Sequence, residues 1–374
     1  MLKKGQLVIL GGTLLYPVTL FAEWEVNMEA GVTAVSRSIY ALHMQIFWIC
    51  VAIAVVVFGV MFWSIFRYRK SAGAKAKQFH ENTLVELAWT IVPVLILVAM
   101  AIPATATLTD MYNTDDSEID VQITGYQWKW QYQYLGEEVS FFSNLSTPME
   151  QISNQQAKGE HYLLEVDEPL VLPVGKKVRF LLTSNDVIHS WWVPALAVKK
   201  DAIPGFINET WVNIEEEGIY RGQCTELCGK NHGFMPVVVQ AVSEQEFQGW
   251  LQDKREAIAA ERAAAERVWT MEELYQRGEQ AYLKNCAACH QAGGQGVPSI
   301  FPALKGNSIV RFDMKKHIDI VLHGRSGTAM PAFSAQMGAV DIAAVITYER
   351  NAWGNDTGEM ISPQEIQALL NEPR

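Results

Sequence analysis

Positive charge is scarce in this chain of 374 residues: 30 lysines and arginines stand against 41 aspartates and glutamates, a formal net charge of −11. The deficit lies mostly in residues 109–243, with 19 acidic and 9 basic side chains, and little of it in 270–374, with 11 and 9. A field of that sign excludes nucleic acid as a partner and favours a basic protein or bound cations. Cysteine is rare, five in all. None lies near the end of the first apolar run, which excludes a lipid-anchored start. No internal repeat is present, so the chain is not a solenoid. Charge of either sign is missing from two long runs, 46–66 "IFWICVAIAVVVFGVMFWSIF" and 87–108 "LAWTIVPVLILVAMAIPATATL".

As helices rising about 1.5 Å per residue, both runs would cross a hydrocarbon core about 30 Å thick. Pro93 and Pro103 would break a soluble helix but are tolerated in a membrane. Between the runs lie Arg67, Arg69, Lys70, Lys75 and Lys77. Positive loops stay cytoplasmic, so everything after residue 108 is expected outside. Cys50, mid-span and alone, reads as a small packing residue. Glu86 sits at the cytoplasmic start of the second run; a carboxylate there is either a functional group or a helix cap. The chain opens with Lys3, Lys4 and the apolar run 7–22, the form of a signal peptide ending near Ala22. Leu20 is large for the position three before such a cut, so an uncleaved anchor is the other reading.

After Asp110 the texture changes. "DVQITGYQWKWQYQY", "YLLEVDEPLVLP", "GKKVRFLLTSN", "TWVNIEEEGIYRG" and "MPVVVQAV" are strand signals separated by turns. They predict one all-β sandwich over 109–243. Residues 244–269 are dominated by alanine, glutamate and arginine and predict a helical linker. From 270 to 374, helical segments near 271–290, 313–323 and 338–351 alternate with Gly- and Pro-rich loops.

Two stretches carry chemistry. The first, "CTELCGKNHGFM" (224–235), gathers thiol, imidazole and thioether within twelve residues. Soft sulfur beside imidazole favours copper. Zinc sites add further Cys or His rather than Met, and a disulfide between Cys224 and Cys228 would leave His232 and Met235 unexplained. The second is "NCAACHQ" (285–291). C-x-x-C-H is the attachment signature of c-type haem: Cys286 and Cys289 for the thioethers, His290 for the iron. A second axial ligand is required. "GTAMPAF" (327–333) offers Met330; Met337, His317 and His323 compete with it.

The first stretch, together with "HSWWVP" (189–194) and "KKDAIPG" (199–205) behind a two-helix hairpin, resembles the CuA subunit, subunit II, of cytochrome c oxidase. The third texture resembles a class I cytochrome c, fused as in caa-type oxidases. The resemblance implies a multidomain membrane protein: residues 1–22 a signal peptide; 23–108 an N-terminal segment and hairpin with helices near 42–66 and 84–108; 109–243 a cupredoxin-like Greek-key sandwich; 244–269 the linker; 270–374 an all-α cytochrome c domain. It implies a binuclear copper centre bridged by Cys224 and Cys228. His189 and His232 would each bind one copper, with Met235 and the Glu226 carbonyl as weak outer ligands and Gly229 and Gly233 letting the loop close. Through its side chain Glu226 would also reach a magnesium ion at the junction with the large subunit.

Trp128, in "GYQWKWQYQY", matches the family's point of electron input; Tyr126 and Lys129 depart from the commoner His and Tyr. Pro302, in "FPALKGN", matches the loop behind the proximal histidine. Glu86 matches the mouth of a proton-uptake path. The implied partners are oxidase subunit I, other oxidase subunits, the membrane, and a donor such as a cytochrome c or a cytochrome bc complex. The implied location is a bacterial inner membrane, with both redox domains on the periplasmic face. Oxygen chemistry would belong to the large subunit. A membrane-anchored copper-delivery or electron-carrier protein is the alternative, although delivery needs neither the aromatic strand nor a haem.

Overall fold

The computed structural model describes residues 27–75, 80–325, 328–334 and 336–371. The expected signal peptide lies outside them. Two units result, 1–31 with 36–105 and 32–35 with 106–374.

The first unit holds most of two long helices, α1 (Ala34–Arg67) and α2 (Thr83–Tyr112), with mean hydropathies of 2.7 and 2.3 over their most apolar windows. Both run beyond the apolar stretches that announce them, α1 by several residues at its start. Their apolar side chains are exposed, Val55, Trp63, Leu84 and Ile102 among them. In water that exposure would be costly, and lipid removes the cost. At the start of α2, Asn82 accepts the Val85 N–H and Glu86 accepts the Asn82 N–H. Glu86 is thus seen to tie down the helix start.

The second unit opens with ten strands: β1 (Ile119–Tyr126), β2 (Lys129–Tyr134), β3 (Val139–Ser143), β4 (Leu170–Pro173), β5 (Lys177–Ser184), β6 (His189–Val193), β7 (Val198–Ala202), β8 (Asn208–Asn213), β9 (Gly218–Cys224) and β10 (Pro236–Val242). They form two five-stranded sheets, β3-β2-β1-β5-β8 and β4-β10-β9-β6-β7. All pairs are antiparallel except β1 with β5 and β10 with β4. Alternation decides the faces. In β5, Val178, Phe180, Leu182 and Ser184 point inward; in β2, Trp130, Tyr132 and Tyr134 do. Burying each such aliphatic side chain is worth roughly 1.5–3 kcal/mol. Trp191 seals the middle, its ring 5.2 Å from Phe180 and its Nε1–H donated to the Tyr132 hydroxyl at 3.2 Å. The stretch 162–166, expected as strand, is turn and bridge instead. Leu163 has a positive φ of 62°, and the only sheet contact is the single bridge of Val166 to Leu145. A short helix, α3 (Met149–Ile152), lies in the same excursion.

Helix α4 (Glu244–Glu266) starts at a capping box between Ser243 and Glu246. Phe247 and Leu251, four apart on one face, are buried in the sandwich core, and Trp250 packs on Tyr134 at 5.1 Å. Lys254 pairs with Glu168, and Arg255 with Glu137. Farther along, Ala265 enters the core of the C-terminal domain and Glu261 meets Arg277 at 2.7 Å. The helix that joins the two domains therefore contributes to both cores. Beyond it follow α5 (Met271–Asn285), α6 (Ala287–His290), α7 (Ser308–Phe312), α8 (Met314–His323), α9 (Ala339–Asn351) and α10 (Pro363–Asn371). Helices α5 and α9 cross through Tyr275, Tyr282 and Tyr348, with ring centroids 5.1–5.5 Å apart.

Candidate metal and haem centres

Strand pairing builds the first site. Trp191 of β6 lies opposite Cys224 at the end of β9. The loop 225–235 leaves from Cys224 and returns into β10, and the Cys224 N–H donates to the Met235 carbonyl at 3.3 Å. That closure places five side chains around one point. The Cys224 and Cys228 sulfurs lie 3.8 Å apart, beyond the 2.05 Å of a disulfide. Cys224 Sγ is 3.9 Å from His189 Nδ1 and 3.4 Å from the Glu226 carbonyl oxygen. Cys228 Sγ is 3.5 Å from His232 Nδ1 and 3.4 Å from Met235 Sδ. Both thiols, His189 and Met235 are buried. Each sulfur thus has one imidazole and one weak donor beside it, a set that fits two soft metal ions sharing two thiolates. The Glu226 side chain is exposed. Gly229 has φ +118°, and a Cβ there would meet Gln127 Nε2 at 2.9 Å, so close loop packing depends on it; Gly233 has open space.

Protonation follows from the contacts. Cys228 donates to Cys224, and that bond, aided by His189 and opposed by burial, holds the Cys224 thiol far below its usual range. The same contact and burial push Cys228 up. Cations that bind both sulfurs must displace the protons these thiols carry. Burial alone would lower His189, but Asp186 and Cys224 outweigh it and the net direction is up. The Nε2–H of His189 donates to Asp186 Oδ1 at 2.8 Å, which leaves Nδ1 to face the sulfurs. Asp186 also accepts the Gln127 and Val187 N–H groups at 2.7 and 2.6 Å. This carboxylate fixes the ring as outer partners of metal-bound histidines do. It escaped the motif reading, although a carboxylate three residues before His189 was the signal. Trp128 packs on the same loop, and its Nε1–H donates to the Cys228 carbonyl at 3.3 Å.

The second site lies in the helical domain. Cys286 and Cys289 are unpaired, and His290 is buried. The His290 Nδ1–H donates to the Pro302 carbonyl at 2.9 Å, so Nε2 is the nitrogen left for iron. Met330 packs half-buried against the domain core, whereas Met337 lies within it. His317 is held by Glu349 at 2.7 Å, and His323 by Asp319 at 2.8 Å. A single histidine with two adjacent thiols and a free methionine fits a covalently attached haem.

Two apolar helices, a sandwich with a buried thiolate–imidazole cluster and a helical domain with haem-attachment chemistry define a membrane-anchored electron-transfer protein. Residues 119–242 match the family described as cytochrome C oxidase subunit II, periplasmic domain, and residues 22–106 match its transmembrane domain. Residues 273–348 match cytochrome C oxidase, cbb3-type, subunit III. The probable cytochrome c oxidase subunit 2 of Rickettsia bellii is 33% identical over 256 residues, 67% of this chain and 94% of that one. The cytochrome c oxidase subunit 2 of Cyanidium caldarium is 38% identical over 236 residues, 62% and 91% of the two chains. Among solved structures, the periplasmic domain of subunit II of the Bradyrhizobium japonicum oxidase is 37% identical, covers 38% of this chain and 98% of its own, and has a TM-score of 0.35. The chain belongs to the cytochrome c oxidase subunit II family, with a cytochrome c domain fused behind it. It is the subunit through which electrons reach a haem-copper oxidase, a membrane protein with periplasmic domains, and its family implies copper and haem c.

Proposed function

We propose that the chain relays single electrons from its own C-terminal domain to the sandwich and on to the catalytic subunit that reduces oxygen. The observation that carries this is the convergence of two thiols, two imidazoles and a thioether within bonding reach of two shared ions, with Trp128 resting on the same loop. Cys224 and Cys228 would together hold a binuclear copper centre. His189 and His232 would supply its nitrogen ligands, with Met235 and the Glu226 carbonyl as weak donors beside the sulfurs. Cys286 and Cys289 would anchor the haem covalently, and His290 and Met330 would be the ligands held for its iron. When bound, the copper pair and the haem supply one-electron couples.

The chain's own residues do the rest. Asp186 orients His189, and Pro302 orients His290. Burial of Cys224, Cys228, His189 and Met235 excludes water from the site. Trp128 provides the aromatic contact to the Cys228 backbone through which charge arrives. The exposed Glu226 carboxylate is free to reach a magnesium ion, whose remaining ligands the large subunit would bring, since one carboxylate is a thin site. For Glu86 the helix cap is the role its hydrogen bonds support. The setting is a bacterial inner membrane, and the outside donor is a cytochrome c or a cytochrome bc complex. Metal analysis with a haem assay tests the assignment: two coppers and one covalent haem per chain are expected, and one copper per haem would overturn the binuclear site.

A further inference from the structure

Two buried titratable side chains of the helical domain lie outside the haem-attachment turn. His317 of α8 and Glu349 of α9 are 3% and 4% exposed, and His317 Nε2 lies 2.7 Å from Glu349 Oε2. The other ring nitrogen, Nδ1, is buried with no hydrogen-bond partner among the described residues. Packing alone does not call for such a pair, since apolar residues of similar volume often stabilise a core at least as well. The pair joins two sides of the haem domain. Beyond it on α8, the Val321 and Leu322 carbonyls accept the Phe333 and Ser334 N–H groups, just after Met330. Next to Glu349 on α9, the Tyr348 ring lies 5.5 Å from that of Tyr282, whose hydroxyl donates to the Gln291 carbonyl, one residue past His290. The charge of Glu349 is felt at both Tyr282 and Cys286.

We infer that His317 and Glu349 form a redox-linked proton site, which takes up a proton from the surrounding water when the haem is reduced and releases it when the haem is oxidised. This rests on the haem assignment above. With Nε2–H donated to Glu349, the neutral imidazole leaves Nδ1 bare and the pair carries one negative charge. That state suits ferric iron, which has one positive charge more than ferrous. When an electron arrives the compensation is lost, and a proton binding at Nδ1 relieves the buried negative charge. One electron enters the haem and up to one proton enters the pair. The other groups around the pair do not take that proton. Burial pushes the Tyr282 hydroxyl up, and burial with Glu279 of α5 facing it pushes that of Tyr348 up to about 12, so both stay neutral. Cys286 has no thiol proton once it is a thioether. Arg350 is committed to Glu359 and to the Val310 and Arg311 carbonyls of α7, and Asp313 accepts the Lys316 N–H at the start of α8. The coupling is reciprocal. Acid therefore raises the haem potential, which eases entry of the electron and slows its departure to copper.

The test uses the full-length chain with copper and haem loaded. The haem midpoint potential is measured from about pH 5 to 9, a range that brackets free imidazole. In wild type it should fall by about 59 mV in all as pH rises, the value for a ten-fold difference in proton affinity between the two haem states. Midway, reduction in unbuffered solution with an indicator dye should take up about half a proton per electron. The variants are Glu349→Gln, the apolar double change His317→Leu with Glu349→Leu, and His323→Gln as a control, an exposed histidine held by Asp319 on the same helix. Both changes at the pair should flatten the pH dependence while the methionine–iron absorption persists, and Glu349→Gln should raise the potential at high pH. His323→Gln should behave as wild type. If the pair only tied α8 to α9, its variants would melt earlier and keep the slope, and that outcome would overturn the inference. So would a flat wild-type potential, whether or not a variant folds. A wild type that attaches no haem would instead overturn the assignment of Cys286, Cys289 and His290.

Discussion

Gly125 gives the sharpest handle on the copper site without touching a ligand. It sits on β1 behind His189, and a Cβ built there would lie 2.7 Å from His189 Cδ2, 3.0 Å from Cγ and 3.2 Å from Cβ. Ordinary contact begins at 3.4 Å, so Gly125→Ala leaves the nearest pair about 0.7 Å short. The imidazole has nowhere to retreat: His189 is fully buried, Trp130 sits edge-on at 5.8 Å, and Asp186 pins Nε2. Metal–nitrogen bonds tolerate about 0.2 Å. The ring must therefore leave its productive position, or the strand must shift. Losing an outer partner of a metal-bound histidine typically costs 10–100-fold in affinity, and about the same is expected here. Overpacking should add about 1–3 kcal/mol of destabilisation. The assay is copper competition against a chelator, with visible spectra and thermal melts of the loaded and unloaded full-length chain. Unchanged copper affinity and an unchanged spectrum in Gly125→Ala would refute the placement of His189 as a ligand.

Met330→Ala should abolish the methionine–iron absorption and lower the haem potential while the copper spectrum persists. Met337→Ala should keep that absorption and cost about 2–5 kcal/mol of stability, because its side chain lies in the domain core. Leu251→Ala, at the buried face of α4, should likewise destabilise the sandwich by about 2–5 kcal/mol in denaturant melts, whereas a free linker would show no change. Burial holds Lys129 down to about 8 from 10.5, with Cys286, Lys284 and Asp167 facing it; Cys286 loses its charge as a thioether. A lowered lysine pKa means the unfolded chain binds more protons between those values, so this group's contribution to stability rises with pH from about 8 to 10.5. Melts across that window should show the rise in wild type and its loss in Lys129→Met; equal slopes would contradict it.

Much of the site could be read from residue types alone, because coordination chemistry confines its donors to short segments. Cys224, Cys228, His232 and Met235 share one loop, and C-x-x-C-H needs no tertiary context. His189 required the fold: it joins the cluster only because β6 lies beside β9. Strands β6 and β7 gave no alternation to read, since β6 is buried on both faces at His189, Ser190 and Trp191. "YLLEV" has strand-like composition, but the left-handed backbone at Leu163 breaks it. Lys129 shows the limit most plainly. Alternation in β2 assigns it to the outer face, as it does the exposed Gln133, and Phe142 of β3 together with the covering domain buries it. A local pattern carries no information about a surface that arrives from more than a hundred residues away.

Injecting one electron into the fully loaded oxidised chain tests the internal relay most directly. Haem c should be reduced first. Its band should then decay with the same rate constant with which the copper absorption bleaches, and that constant should not depend on protein concentration. A haem that stays reduced beside intact oxidised copper would contradict the account, as would a transfer rate proportional to protein concentration.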